Sequence, residues 1–342
     1  MTKKRGPKIP DGLSLEDTLR LQAADLTKRE AKLLYRYHRN VQVMRIACEQ
    51  SIGLLEHQKT PPPELFFYFR RSARRLEKQT TSALEIYVDQ YVATRWMREV
   101  GLGSAQATAI FTMVDLEKIK GNVSSLFRFA GYDPSVTKLT KQEAGECIRY
   151  FREQYKKDYV DLEVLHYVAR DLNRGVEQLK RITKVGMYRK DITWGQLYRA
   201  IMSCPWCQEL KEVLFRVGMA FRRTGGNAQP TSPYRSIYDW RKEYEVMRNE
   251  RGDLAEQAAY KLKSRNFRKD TTAYKHYIEG RLPPAHLDAR ARRFTIKVFL
   301  VHLHQVLFFE RYGRMPPRPY ILDVLGKERE IKCPKWPFRS GQ

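Results

Sequence analysis

Apolar residues recur at a helical spacing along nearly the whole of this sequence. In few segments do they alternate with polar residues in the manner of strands. The capping box Thr27-Lys28-Arg29-Glu30 predicts the start of a long helix running towards Leu55, and Pro61-Pro62-Pro63 then predicts a break. Because such a chain must bury helix faces against one another, we expect an all-α, multi-helical fold.

The charge balance narrows the choice of partner. The chain carries 64 Lys and Arg residues against 39 Asp and Glu residues, a formal net charge of +25. This excess favours polyanions through counterion release and electrostatic steering, without indicating any sequence preference. Charge alone leaves open a generally basic, ribosome-associated protein. The hydrophobic fraction of 42% excludes a disordered chain.

Neither the start of the sequence nor its apolar runs predict a membrane partner. The start, Met1-Thr2-Lys3-Lys4-Arg5, is charged and does not lead into the apolar region of a secretory signal. The longest apolar run, residues 294–309, is interrupted by polar residues and predicts a buried core helix. The five cysteines are an odd number scattered along the chain, which favours a reducing, cytoplasmic location.

One short segment carries a more specific pattern. An amphipathic stretch runs into Gly101-Leu102-Gly103, and a second helical stretch follows at Ser104 and Ala105. The glycines permit a tight turn and close backbone approach, Leu102 packs the turn, and the next helix supplies free N–H groups. This pattern is typical of a helix-hairpin-helix, which holds DNA phosphate without reading bases. A purely structural turn is the alternative. No cofactor is evident from the sequence, apart from a possible monovalent cation at the hairpin.

Two basic clusters accompany this hairpin. The first, here called the basic ridge, consists of Arg70, Arg71, Arg74, Arg75 and Lys78. It lies opposite an apolar stripe of Leu65, Phe66, Phe69, Ala73 and Leu76. In the second cluster, helical spacing aligns Arg290, Arg293 and Lys297, with His286 and Arg292 nearby. Both are candidate contacts to a phosphate backbone, and solvated basic faces are the alternative.

Cysteine and histidine residues suggest a metal site only weakly. Cys204-Pro205-Trp206-Cys207 has the spacing of a redox pair or of half a zinc site. For zinc, the candidate further ligands are Cys333, His302 and His304. His302 and His304 lie on different faces of a helix, so they cannot share one metal. We favour a structural role and leave zinc at Cys204 and Cys207 open. The sequence has no phosphate-binding loop, dinucleotide-binding or zinc-protease motif.

Several separated blocks resemble a known family. Gly101-Leu102-Gly103-Ser104-Ala105-Gln106-Ala107 and Ser125-Leu126-Phe127-Arg128-Phe129-Ala130-Gly131-Tyr132-Asp133-Pro134 resemble the C-terminal domain of the one-ten family of insertion-sequence transposases. Members join a RuvC-like domain with four metal-binding acidic residues to a helix-hairpin-helix domain with a nucleophilic serine, and are guided by a structured RNA. Blocks within residues 234–252, 282–302 and the proline-rich tail resemble a transposase-like subgroup frequent in phages and prophages.

The departures from that family limit what the resemblance implies. Residues 1–80 are helical and basic, without strand-borne aspartates for a RuvC-like half. Ser135 directly follows Pro134, but the Ser-Gly of family members is missing, and a serine here more often caps a helix. We therefore expect an accessory DNA-binding factor of recombination or transposition in a bacterial or phage-infected cell. Such a factor should not cut DNA by itself.

Alternatives and partners remain open at this point. An active recombinase would use a nucleophile such as Ser135, and an RNA-binding scaffold would prefer structured RNA. A separate catalytic subunit and oligomerisation are open partners. The expected organisation is a basic flexible arm (1–12), an N-terminal helical region with the ridge (13–80), the hairpin core (81–135), an inserted helical subdomain (136–200), a C-terminal helical region (201–314) and a proline-rich tail (315–342).

Overall fold

The computed structural model of the chain describes residues 22–117, 119, 122–223, 232–264, 266–317 and 331–338. This part is mostly helical, as expected for the all-α class. The predicted arm at 1–12, a helix predicted near 13–21, most of a loop predicted at 225–233 and the tail at 318–330 and 339–342 lie outside the described residues.

The helices and strands follow one another in short steps along the chain. In order they are α1 (Lys28–His57), α2 (Glu64–Val88), α3 (Val92–Glu99), α4 (Ser104–Met113), α5 (Val123–Ala130), α6 (Lys141–Tyr155), β1 (Tyr159–Asp161), α7 (Leu162–Asp171), α8 (Val176–Thr183), β2 (Asp191–Thr193), α9 (Trp194–Met202), α10 (Gln208–Arg222), α11 (Tyr234–Glu250), α12 (Ala255–Ser264), α13 (Thr272–Ile278) and α14 (Pro284–Tyr312). They form two compact units, residues 119–214 and the remainder of the chain.

The start of α1 confirms the predicted capping box. Thr27 Oγ1 accepts from the Glu30 amide at 3.3 Å, and Glu30 Oε2 accepts from the Thr27 amide at 2.9 Å. Helix α1 pairs along its length with α2, and α4 packs against both. The rings of Tyr87 and Phe111 meet there with centroids 6.5 Å apart.

The apolar stripe predicted on α2 is only partly covered. Ala73 is fully buried, but Leu65 is 59% exposed and Phe69 is 44% exposed. Helical spacing identifies which face of α2 turns towards α1. It does not show how much of that face a further helix covers. Helix α4 contacts α2 near Tyr87, at the end opposite Leu65 and Phe69.

A single helix predicted from Thr81 to Val100 is in fact two. Helix α2 ends at Val88 and α3 begins at Val92. Glu310 lies against the start of α3, where its Oε1 accepts from the amide of Val92 at 2.7 Å. A carboxylate at this position satisfies a free amide and the positive end of the helix dipole, so it stabilises a new helix start there.

The predicted core helix at 294–309 is confirmed within α14. Its side chains fill the first unit, and the Phe299 ring stacks on Trp96 with centroids 5.8 Å apart. None of the helices in the described ranges combines the length and the apolar character that crossing a membrane requires.

The second unit has its own core. Buried side chains from α6 to α9 surround Val160 of β1 and Ile192 of β2, which pair in an antiparallel register. The sequence pattern predicted an inserted subdomain at 136–200 made of helices alone. The unit in the structure spans 119–214 and includes this small sheet, whose two strands of three residues are too short to show a clear alternation.

Candidate nucleic-acid interface

The turn between α3 and α4 closes the first helix with local hydrogen bonds. Gly101 has φ +100°, a conformation that favours glycine. Its amide donates to Arg98 O at 2.9 Å, and the Leu102 amide donates to Met97 O at 3.0 Å, which is the Schellman arrangement. Leu102 is buried. The amides of Gly101 and Leu102 are therefore used inside the turn.

The start of α4 offers amides of a different kind. Gly103 is its N-cap, and the first i→i−4 bond runs from Ala107 N to Gly103 O at 3.0 Å. The amides of Ser104, Ala105 and Gln106 therefore precede that ladder, at the positive end of the helix dipole. A Cβ placed on Gly103 would meet nothing within 4 Å, so the space beside this N-cap residue is open.

Distant segments brace this turn. Ser232 Oγ donates to Val100 O at 2.6 Å, and a Cβ on Gly101 would lie 3.2 Å from Ser232 Cβ. Lys335 Nζ donates to Glu99 O at 2.7 Å, and Trp96 Nε1 donates to Pro334 O at 2.9 Å. The sequence predicted only an extended proline-rich tail, and no local signal connects Lys335 with the C-terminus of α3. The structure therefore adds Lys335, an exposed cation, to the hairpin surface.

The basic ridge on α2 is exposed along most of its length. Arg71 pairs with Glu64 at 2.9 Å and Arg74 pairs with Glu49 at 2.8 Å, whereas Arg70 is half-buried with its guanidinium 5.0 Å from the Phe67 ring centroid. Arg75 and Lys78 are exposed. Two of the five cations, Arg71 and Arg74, therefore have acidic partners within the chain. Exposed ion pairs contribute little, so the ridge still presents cations to a polyanion.

Arg290 is engaged in the packing of α11 against α14. Its Nε donates to Glu245 Oε2 at 2.7 Å and its Nη1 donates to Gln257 Oε1 at 2.7 Å, while Arg241 Nε donates to Glu245 Oε1 at 2.9 Å. Burial opposes ionisation of the Glu245 carboxyl, but the two guanidinium groups outweigh it and hold its pKa below the usual value. This placement changes the interpretation of Arg290 to that of a structural cation.

The rest of that second cluster is more accessible. Arg293 is exposed and Lys297 is half-buried. Arg292 donates from Nε to Asp288 Oδ2 at 2.9 Å, so it forms an ion pair within α14. A contact of Arg293 and Lys297 with phosphate stays a prediction.

Ser135 lies in a hydrogen-bonded turn. Its Oγ donates to Asp133 Oδ1 at 2.7 Å, its amide donates to the same oxygen at 2.9 Å, and Asn173 Nδ2 donates to Ser135 Oγ at 3.2 Å. A side chain that closes a turn in this way resembles a cap. The geometry favours the structural interpretation of Ser135 over the nucleophilic one.

The cysteine motif has structural contacts. Cys207 N donates to Phe129 O at 2.8 Å, and Cys204 Sγ donates to Gln208 Oε1 at 3.4 Å. Between them, Trp206 packs so closely on Gly131 that a Cβ there would lie 2.7 Å from Trp206 Cγ. Within the described ranges, no three His, Cys, Asp or Glu side chains cluster as metal ligands would.

His302 holds the tail instead of a metal. Its Nδ1 lies 2.8 Å from Tyr234 Oη and its Nε2 lies 2.7 Å from Ile331 O, so both ring nitrogens have partners. Burial raises the pKa of Tyr234 well above its usual value. The protonated Tyr234 hydroxyl and the Ile331 carbonyl therefore occupy the two ring nitrogens of His302. Cys333, another candidate ligand, has its pKa raised to about 12 by burial, which disfavours the thiolate that zinc requires.

His286 should make stability depend on pH. Burial, helped by Arg293, Lys261 and Arg290, lowers its pKa to about 4 from the usual value of 6.5. The unfolded chain therefore binds this proton more readily, and the stabilisation present above pH 6.5 is lost as the pH falls towards 4. We expect the free energy of unfolding to fall by roughly 1–2 kcal/mol between pH 7 and pH 5 through this group, since one pH unit corresponds to about 1.4 kcal/mol per proton.

Urea unfolding at both pH values measures this effect. His286→Asn removes the titrating group, so the fall for this variant should be smaller than for the wild type by that amount. An equal pH dependence in the two proteins would show that His286 does not titrate in this way.

Comparisons with known proteins give no relative. The sequence matches no model of a known protein family and no curated protein, and the fold matches no solved structure. The resemblance to insertion-sequence transposases therefore rests on the sequence blocks alone.

Proposed function

We propose that this chain binds DNA and that α3, the turn at 100–103 and α4 act as a helix-hairpin-helix on the phosphate backbone. One observation carries the proposal. The amides of Ser104, Ala105 and Gln106 precede the hydrogen-bond ladder of α4, and the space beside Gly103 is open. A helix start of this kind favours an anion through its amides and its dipole.

The surrounding charge supports DNA as the source of that anion. The net charge of +25 favours a polyanion over a small anionic metabolite. Exposed Arg98 and Lys335 lie at the C-terminus of α3, and the basic ridge adds a row of cations. A duplex offers phosphates in a regular series, so several such groups can be engaged at once.

The biological role follows from the kind of contact and from the sequence resemblance. Backbone amides hold phosphate without reading bases, so the hairpin positions the protein on DNA of any sequence. The transposase-like blocks resemble the DNA-binding half of that family. We therefore assign the chain an accessory role in phage or mobile-element recombination or transposition, beside a separate catalytic subunit.

A salt titration of binding tests this proposal. Fluorescence anisotropy would measure Kd for linear duplex, branched DNA, single-stranded DNA and structured RNA at several salt concentrations. We expect duplex or branched DNA to bind most tightly, with log K falling against log salt with a slope of roughly −4 to −7, as five to eight phosphate contacts require. Binding of structured RNA at least tenfold tighter than any DNA would instead support the RNA-binding scaffold.

A further inference from the structure

Two helices of the second unit have the spacing of a helix-turn-helix. Helix α7 ends at Asp171, four residues form the turn, and α8 begins at Val176 after Gly175. A turn of three or four residues, often with glycine, also joins the two helices of the DNA-binding helix-turn-helix, whose second helix lies in the major groove. Val168 of α7 and Leu179 of α8 are buried in the core of this unit.

The motif is fixed by polar contacts from its turn. Arg174 is buried, and its guanidinium donates to Ser203 O at 3.1 Å and to Ile201 O at 2.9 Å, at the C-terminus of α9. Gln178 Nε2 donates to Cys204 O at 2.7 Å. Because these side chains turn inwards, α8 is held in one orientation and its opposite face is left to solvent.

The outer face of α8 carries side chains suited to base edges. Leu179 and Thr183 point into the core, so Glu177 and Arg181 lie on the opposite side, one helical turn apart, and both are exposed. Arginine pairs with guanine O6 and N7, and glutamate accepts from cytosine N4. This face therefore has one candidate donor and one candidate acceptor for bases.

A basic loop follows α8 directly and has a fixed shape. The amides of Met187, Tyr188 and Arg189 all donate to Lys184 O, at 3.2, 3.0 and 3.0 Å, while Val185 is buried beneath the loop. The loop then enters β2, which pairs with β1. It is thus anchored at both ends and does not need to order on binding.

Charge and exposure distinguish this surface from an ordinary solvated face. Residues 176–190 contain one carboxylate, Glu177, and the five cations Lys180, Arg181, Lys184, Arg189 and Lys190. Tyr188 is 81% exposed and Met187 is 56% exposed among these cations. Large apolar side chains between cations suit a partner that offers both phosphates and sugar or base surfaces.

We propose that residues 119–214 form a second, sequence-reading DNA-binding module, with α8 in the major groove and the loop at 184–190 on the adjacent backbone. An α-helix fits the width of that groove. The module is independent of the hairpin proposal, because it reads bases through side chains and lies in the other unit of the chain. It gives the protein a preference for particular sites, which backbone amides cannot supply.

Selection of bound sequences from a random duplex pool, using the full chain, tests the base-reading half of this proposal. We expect an enriched motif containing guanine, and we expect Arg181→Ala to lose the preference at one position. Its affinity for the selected site should fall roughly 5–150-fold, and its affinity for unrelated duplex by less than about threefold. Absence of an enriched motif in the wild type, or an unchanged motif in Arg181→Ala, would overturn the assignment.

Matched charge removal tests the surface itself. One variant carries Arg181→Gln, Arg189→Gln and Lys190→Gln, and its control carries Lys141→Gln, Arg149→Gln and Arg152→Gln, three exposed cations at the start and along α6. The first should reduce the slope of log K against log salt by roughly 2–3, and the control should leave it nearly unchanged. Equal effects would indicate net charge alone, and preference for an RNA hairpin over duplex would also overturn the proposal.

These results separate the two proposals. Loss of binding to all duplexes on changing the hairpin concerns the proposed function alone. Loss of site preference on changing Arg181 concerns the second module alone.

Discussion

Replacing Gly103 with aspartate should weaken DNA binding by about 100-fold without loss of the fold. Gly103 has φ −73° and ψ 158°, which any residue adopts, and there is room for a side chain. Aspartate is a favoured N-cap residue, so the melting temperature should be unchanged or raised. Its carboxylate would accept from the free amides of α4 and place a negative charge where we propose that phosphate binds. The measurement is Kd for linear duplex, together with thermal unfolding.

Two further variants separate the causes of that loss. Gly103→Asn has the same shape and capping ability without the charge, and we expect a smaller loss. Gln154→Glu adds one negative charge at an exposed site on α6 and should change Kd less than about threefold. If Gly103→Asp binds duplex as tightly as the wild type, the turn is structural. Gly101 is the poorer target, because its positive φ and the nearby Ser232 would strain any side chain there.

Replacing Glu245 with alanine should lower the free energy of unfolding by about 3–5 kcal/mol. The Glu245 side chain is only 1% exposed and lies between Arg241 and Arg290. Removing it leaves two guanidinium groups together without their anion at the interface of α11 and α14. Since a domain is typically stable by about 5–15 kcal/mol, this change would bring the chain close to unfolding. Urea unfolding followed by circular dichroism measures it.

Neighbouring residues supply the controls for this result. Glu243→Ala removes an exposed carboxylate from the same helix and should change stability by less than about 0.5 kcal/mol. Arg290→Ala should destabilise more than Arg293→Ala, because the Arg290 guanidinium reaches the buried carboxylate of Glu245. A loss below about 1 kcal/mol for Glu245→Ala would show that the network is dispensable, and Arg290 would again be a candidate for phosphate contact.

The sequence alone determined features whose interactions span only a few residues. The helical class follows from the spacing of apolar residues, and the start of α1 follows from a bond between Thr27 and Glu30. The turn at 101–103 is local in the same way, since the backbone hydrogen bonds that close α3 join Gly101 to Arg98 and Leu102 to Met97. Propensity, capping and a glycine at positive φ are properties of short segments, so a reader of the sequence can find them.

Only the tertiary structure decided features that depend on distant partners. In the sequence Arg290 is one of a row of basic residues, but in the structure it pairs with Glu245. Helix α3 begins as a separate helix at Val92, whose amide donates to Glu310. Lys335 contacts the hairpin at Glu99, although the two residues are far apart in the sequence. Leu65 and Phe69 of α2 stay exposed, although their apolar spacing suggested that they would be buried. Charge pairing and burial depend on which surfaces meet, and helical periodicity fixes only the direction in which a side chain points.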